Sequence, residues 1–221
     1  MFEKTFDFLR QLKGNNNREW YHANKETYNK AKQEFEHVTK LLIHEVSRFD
    51  ENISGLQPKE CIFRIFRDVR FSSDKSPYKT NFGTFIVPGG KKSMNAGYYL
   101  HIEPGESMIA SGIYMPPSPI LNAIRKDIYT LPDEFKNIIQ SKEIKELFGE
   151  ISGEKLKSPP RGFSKDFPDV ELLKYKSYGL IRMKSDREMM NNEILQEIVT
   201  CYQASFPFVT FLNEAIKHAV K

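Results

Sequence analysis

Cysteine is scarce in this chain. Two in 221 residues, Cys61 and Cys201, exclude a disulfide-stapled scaffold and favour a reducing compartment. Long apolar runs are missing too: nowhere do about 18 apolar residues follow one another, so no membrane partner or span is expected. The opening MFEKTFDFLRQLKG carries charges through its apolar residues where a signal peptide would be continuously apolar, so a cytoplasmic protein is expected. Net charge is small, since 33 Lys plus Arg against 29 Asp plus Glu leave +4. That is little for the extended basic surface that strong nucleic-acid binding needs. GxSxG, P-loop and GxGxxG signatures are absent, which removes the simplest hydrolase, nucleotide-triphosphatase and dinucleotide readings. There is no HExxH, no paired CxxC, no EF-hand loop, no internal repeat and no low-complexity segment.

What is present is core material. Hydrophobic residues make up 39% and aromatics 13%, enough for a buried interior. The economical reading is a single α+β domain over 1–221, a mainly antiparallel sheet of about five strands flanked by N-terminal and C-terminal helices. Residues 1–56 read as helical: Phe2, Phe6, Leu9 and Leu12 step by three and four until Gly14 and the Asn15–Asn17 run, then Tyr28, Ala31, Phe35, Val38, Leu42, Val46 and Phe49 continue the period. From 61 to 115 the period is two, in CIFRIFRDVRF, FGTFIV, GYYLHIE and SMIASGIYM. Pro104 and Gly105 between the last two predict a type II turn. Over 118–176, Ser118 before Pro119 reads as a helix N-cap with Ile120, Ile124 and Ile128 buried, and 149–169 reads as a long loop. Over 177–221, YGLIRMK reads as a fifth strand, and Ser185 with Glu188 opens a helical tail that Pro207 breaks or restarts.

The densest chemistry lies in FRIFRDVRFSSDKSPYKT, residues 63–80. Five cations, Arg64, Arg67, Arg70, Lys75 and Lys79, stand against two carboxylates, Asp68 and Asp74. In a regular strand Cys61, Phe63, Ile65, Val69 and Phe71 share one face with Arg67 in their midst. A core face does not bury an unpaired arginine, so Arg67 must find a partner or be turned outward by a bulge. The hydroxyls of the loop, including Tyr78, lie beside Lys75 and Lys79. Cations and donors on a stiff loop suit a phosphate or carboxylate, because charge-assisted hydrogen bonds are the strong ones. The same residues also suit an ion-pair network that locks the loop in place, the reading that residue types alone lean toward.

This segment, with LKGNNNREWYHANKETY, GYYLHIEPG and PPRGF, resembles a bacterial and fungal family of conserved hypothetical proteins classed as a domain of unknown function. The resemblance runs nearly end to end. It implies an α+β domain of about this length and brings no reaction, substrate or cofactor. It also implies a glycine-rich segment after the hairpin, of which only Gly112 remains, in SGIYMPP.

Three function classes follow. The favoured one is a domain binding an anionic small molecule through Arg64, Arg67, Arg70, Lys75, Lys79 and Tyr78, with Arg161 in the rigid PPRGF turn as a further contact. Whether it is also an enzyme is left open; the catalytic candidates are Asp68, Asp74, Tyr78 and His101. The second is a nucleic-acid module in which Phe66, Phe71 and Tyr78 stack on bases between the cations. The third is a structural or protein-interaction role. No cofactor is implied. A metal at His101 and Glu103 with Asp68 or Asp74 is a weak reading, both cysteines read as buried thiols, and Trp20 reads as a core anchor.

Overall fold

In the computed structural model, which describes residues 1–219, Phe6, Phe8, Leu9 and Leu12 are buried on one side of α1 (Glu3–Gly14). Each such burial is worth about 1.5–3 kcal/mol. After Gly14, Asn17 accepts the Trp20 amide at 2.9 Å and caps α2 (Arg18–Ala23). The next helix, α3 (Lys25–Val46), buries Tyr28, Ala31, Phe35, Val38 and Leu42. It stops before Phe49. Glu34 on α3 accepts both the Thr5 amide and the Thr5 hydroxyl at 2.8 Å, tying the start of α1 to α3. A 3-10 turn (Glu51–Ile53) and α4 (Pro58–Cys61) complete the helical N-terminal part.

Four strands form the sheet, in the order β1 (Phe82–Ile86), β2 (Gly97–Ile102), β3 (Ser107–Ile113) and β4 (Tyr178–Lys184). The fold is α+β and the sheet antiparallel, as the sequence leads one to expect, but the strands number four and not five. The segment CIFRIFRDVRF is the missing one. It makes only isolated antiparallel bridges, Ile62 to Thr84 and Phe66 to Tyr78. Between those bridges the return path from Tyr78 to Thr84 is two residues longer than the outgoing path from Ile62 to Phe66, so the register slips and a regular ladder cannot form. Pro77, with no N–H to give, closes the far end.

Between β2 and β3 the turn is as expected: Gly105 has φ 86 and the Glu106 amide donates to Glu103 O at 3.0 Å. Tyr98, Leu100 and Ile102 of β2 are buried, while Tyr99 and His101 are half-buried on the opposite face.

The remaining helices are α5 (Ser118–Thr130), α6 (Pro132–Ile139), α7 (Lys142–Phe148), α8 (Val170–Leu173), α9 (Asp186–Met189) and α10 (Ile194–Ala219). Pro117 occupies the cap of α5, so Ser118 is the first helical residue and not the cap. Residues 149–169 are irregular, with the Ser152 amide bonded to Gly179 O of β4 at 2.7 Å. Ser185 and Glu188 do form a capping box, but the helix it opens is only α9. Pro207 does not break α10, which runs through it. Phe208 and Leu212 after the proline are fully buried, and that packing offsets a local penalty of about 3 kcal/mol. Val220 and Lys221 of the expected tail lie outside the described residues.

The chain divides into two compact units. The first holds Met1–Lys91, Tyr99–Ile109 and Met183–Thr200; the second holds Lys92–Tyr98, Ala110–Arg182 and the chain from Cys201 onward. In the second, the Asn213 side chain pairs with the backbone of Ala96 in both directions, at 2.8 and 3.1 Å. Phe135 packs on Phe211 with ring centres 5.0 Å apart, and Gly112 with φ +127 brings β3 hard against Tyr178 O. In the first unit, Lys184, 3% exposed, is held by Glu188 at 2.5 Å and Glu197 at 2.9 Å. The Lys184 ammonium, with the Ser185 hydroxyl and amide, pulls the Glu188 carboxyl from near 4.5 down to about 2. A carboxyl whose folded value is depressed stabilises the fold above its unfolded value, and that stability is lost as pH falls. The melting temperature of the wild type should therefore fall between pH 4.5 and 2 more steeply than that of Glu188→Gln. Parallel curves from thermal melts across that window would show that the Lys184 pair carries no such linkage.

Candidate functional site

All of residues 63–80 belong to the first unit. The segment leaves α4 after the buried Cys61, and its backbone is fastened at four points. Phe63 donates to Gly83 O at 2.9 Å, Arg67 to Pro77 O at 3.0 Å, Lys79 to Ile65 O at 2.8 Å, and the Asn16 side chain grips Tyr78 through its N–H at 3.2 Å and its carbonyl at 2.9 Å. Asn16 thus stands where a neighbouring strand would. Tyr78 is buried, its ring stacked on Tyr21 at 4.1 Å. Ile65 is buried as alternation predicts, but Phe71 is 97% exposed because the chain is no longer in a ladder there.

The five cations separate into two groups. Arg67 pairs with Asp74 and donates to Ser72 Oγ at 3.3 Å, so of the two expectations for Arg67 the partner is the one realised. Arg70 binds Asp68 in a two-pronged contact, Nε to Oδ1 at 2.9 Å and Nη2 to Oδ2 at 2.6 Å. Lys75 donates to Val69 O at 3.0 Å. Ser76, through hydroxyl and amide, together with Arg67, holds the Asp74 carboxyl far below the usual carboxylate range, and Arg70 lowers that of Asp68. Arg64 and Lys79 form the second group. Among the described residues neither makes an ion pair or a side-chain hydrogen bond, though the Arg64 charge adds to Arg70 in lowering the Asp68 carboxyl. The Lys79 ammonium lies 5.4 Å from the centre of the Phe63 ring, and burial, with Arg64 as the neighbouring like charge, lowers its pKa.

Next to this segment the open face of β2 carries a hydrogen-bonded chain. Tyr99 Oη meets His101 Nδ1 at 2.8 Å, His101 Nε2 meets Glu103 Oε2 at 2.9 Å, and the Thr80 hydroxyl donates to Glu103 Oε1 at 2.5 Å. His101 and Glu103 are 12% and 15% exposed. Burial, with Glu103 nearby, pushes the Tyr99 phenol up to about 12. Sequence reasoning paired His101 with Glu103 but passed over Tyr99, although the same period-two alternation places it on that face. Phe63 and Phe85 stand edge-on to the Tyr99 ring at 6.4 and 6.5 Å.

The family model of a conserved hypothetical protein, DUF2461, matches residues 4–211. The chain belongs to this family. Comparison with the curated proteins and with the solved structures returns no match.

The remaining candidates of this DUF2461 protein lie elsewhere or are otherwise engaged. Arg161 sits in the second unit, exposed on a turn whose Gly162 has φ 90. Asp68 and Asp74 serve arginines, and among the described residues no group of three His, Cys, Asp or Glu side chains is placed to hold a metal. Cys61 and Cys201 are buried and neither is in a disulfide, and burial, with Glu60 nearby, pushes the Cys61 thiol up to about 11, away from thiolate chemistry. Trp20 is half-buried against Phe8, with ring centres 6.1 Å apart. Among the described residues no helix is long and apolar enough to cross a membrane.

Proposed function

We propose that the protein binds an anionic small molecule, a phosphate or a carboxylate, at Arg64 and Lys79. The observation that carries this reading is the contrast within one short segment. Arg67, Arg70 and Lys75 are all engaged by carboxylates or carbonyls, while Arg64 and the half-buried Lys79 lie close enough to repel each other and neither makes an ion pair or a side-chain hydrogen bond among the described residues; the acid that feels Arg64, Asp68, is already held by Arg70. Two like charges held together by a fastened backbone are relieved by an anion, and the aromatic floor of Phe63 keeps part of the site dry. Two buried cysteines, neither in a disulfide, support placing this activity in the cytoplasm.

A second reading, single-stranded nucleic acid, is favoured by one feature. Phe71 and Phe66, 97% and 47% exposed, lie on the same loop, and the Arg70 guanidinium stands 5.9 Å from the Phe71 ring centre. Tyr78 takes no part in it, being stacked under Tyr21.

One experiment separates them. Inorganic phosphate at about 100 times its Kd should stabilise the protein by roughly 2.7 kcal/mol, seen as a raised melting temperature. Arg64→Ala with Lys79→Ala should abolish that shift, whereas Arg70→Ala should leave it. A short single strand that binds at low salt, is released as salt rises and loses its affinity in Phe71→Ala would favour the second reading instead. No shift with any phosphate or carboxylate, in the folded wild type, would overturn the first.

A further inference from the structure

The hydrogen bonds of Tyr99, His101 and Glu103 have a direction. Glu103 accepts from Thr80 through Oε1, and as a carboxylate it can only accept at Oε2. His101 therefore carries a proton on Nε2, and in the neutral imidazole this leaves Nδ1 as an acceptor. Tyr99, 2.8 Å from that nitrogen, must be the donor. Its oxygen consequently turns lone pairs, and not a proton, toward whatever lies above the sheet. The lack of a side chain at Gly83 lets the Tyr99 hydroxyl lie close over the β1 backbone, since a Cβ on this residue would stand 2.8 Å from Tyr99 Oη. Hydroxyl, imidazole and carboxylate in hydrogen-bond series, half-buried on a strand, form the arrangement of an activated nucleophile with its base and the group that orients the base.

Resting on the anion reading above, we propose that Tyr99 is the nucleophile of a phosphoryl-transfer site. His101 is its base, Glu103 is the residue that positions His101, and a phosphate monoester held by Arg64 and Lys79 is the substrate. Two cations match the two charges of a phosphate monoester. Lys79 adjoins the centre through Phe63, whose ring touches both the Lys79 ammonium and Tyr99. In the first step Tyr99 Oη bonds to phosphorus, the ester P–O bond breaks, the phenol proton passes to His101 Nδ1, and the alkoxide, departing in line on the far side of phosphorus, takes a proton from water and leaves hydroxide. In the second, water bonds to phosphorus and the Tyr99–phosphorus bond breaks. His101 Nδ1 returns its proton to Tyr99, and the attacking water gives one proton to the hydroxide left in the first step. The products are an alcohol and inorganic phosphate, with no change of oxidation state.

The test uses the full chain with p-nitrophenyl phosphate. The wild type should release p-nitrophenol, and acid-quenched samples should show one phosphoryl group on Tyr99 by mass spectrometry. Tyr99→Phe and His101→Gln should lose at least about 100-fold in kcat while phosphate still raises their melting temperature. Glu103→Gln should lower kcat and shift the pH profile more than it raises KM, which a purely structural role would not do. If phosphate stabilises the wild type yet neither turnover nor adduct is found, this inference falls and the anion reading stands. If phosphate gives no stabilisation, the anion reading falls and takes this one with it. Full turnover in a folded Tyr99→Phe would also overturn it.

Discussion

Gly112→Ala should destabilise the protein by about 4 kcal/mol or more, placing it among the large single-residue effects. Two independent penalties combine. At φ +127 an L side chain is strained, a cost of the order of 1–3 kcal/mol. The new Cβ would also lie 2.1 Å from Tyr178 O and 3.1 Å from Gly179 Cα, atoms of the adjoining strand β4 that cannot swing away as a flexible side chain can. Relief requires β3 and β4 to separate, and Tyr178, fully buried and packed on Phe135, resists that. Gly105→Ala is the control. Its φ is +86 but no atom lies within 4 Å, so it should cost only about 1 kcal/mol. At roughly 2–4 °C per kcal/mol for a chain of this size, thermal melts should separate the two by about 10 °C. Equal melting temperatures would mean that β3 and β4 are not held at this spacing. Of the glycine-rich segment that the family resemblance implies, the single glycine that remains is the one the sheet needs.

Tyr21→Ala is expected to cost about 3–5 kcal/mol, as for other large buried aromatics, and to loosen the candidate site along with the core. The Tyr21 ring is 1% exposed, stacks on Tyr78 at 4.1 Å, lies 5.2 Å from Tyr28 and 5.8 Å from Phe66, and carries the Lys25 ammonium 4.7 Å from its centre. Removing it opens a void directly under the segment that presents Arg64 and Lys79. Amide exchange at Arg67 and Lys79, whose N–H groups bond to Pro77 O and Ile65 O, should speed up more than that of β2. Phosphate stabilisation should weaken with it. Tyr21→Phe, which loses the hydroxyl's bonds to Lys25, at 3.0 Å, and to the Tyr28 side chain, should cost about 1–2 kcal/mol and leave the site intact. If Tyr21→Ala melts normally, or if exchange at Arg67 and Lys79 is unchanged, the stack does not support the loop.

Much of this fold is legible in side-chain spacing. Phe6, Leu9 and Leu12 announce α1, and Tyr98, Leu100 and Ile102 give β2 its buried face, because burial follows period and period is local. CIFRIFRDVRF misled for the same reason. Its alternation is real, and Ile65 is buried, but a ladder also needs a partner in register, and the two extra residues on the return path and the missing N–H of Pro77 act across the pair. The site was legible only in part. That cations gather at 64–79 is written in the sequence; which of them remain without an ion pair is not, since Arg67 reaches Asp74 across a turn whose path no spacing rule gives. Pro207 shows the converse case, a strong local signal overruled by the burial of Phe208 and Leu212.

The irregular segments at the two ends of the sheet order have a consequence for how the protein behaves when crowded. Strand β1 is bridged along its outer side by Ile62 and Phe63, and β4 by Ser152, each through backbone bonds that stop within a residue or two. An outermost strand with open N–H and C=O groups is a template on which another chain can grow. Here those groups are partly taken, and by backbone too irregular to continue the pattern outward. The fold therefore caps its own sheet, which lowers its tendency to form edge-to-edge aggregates.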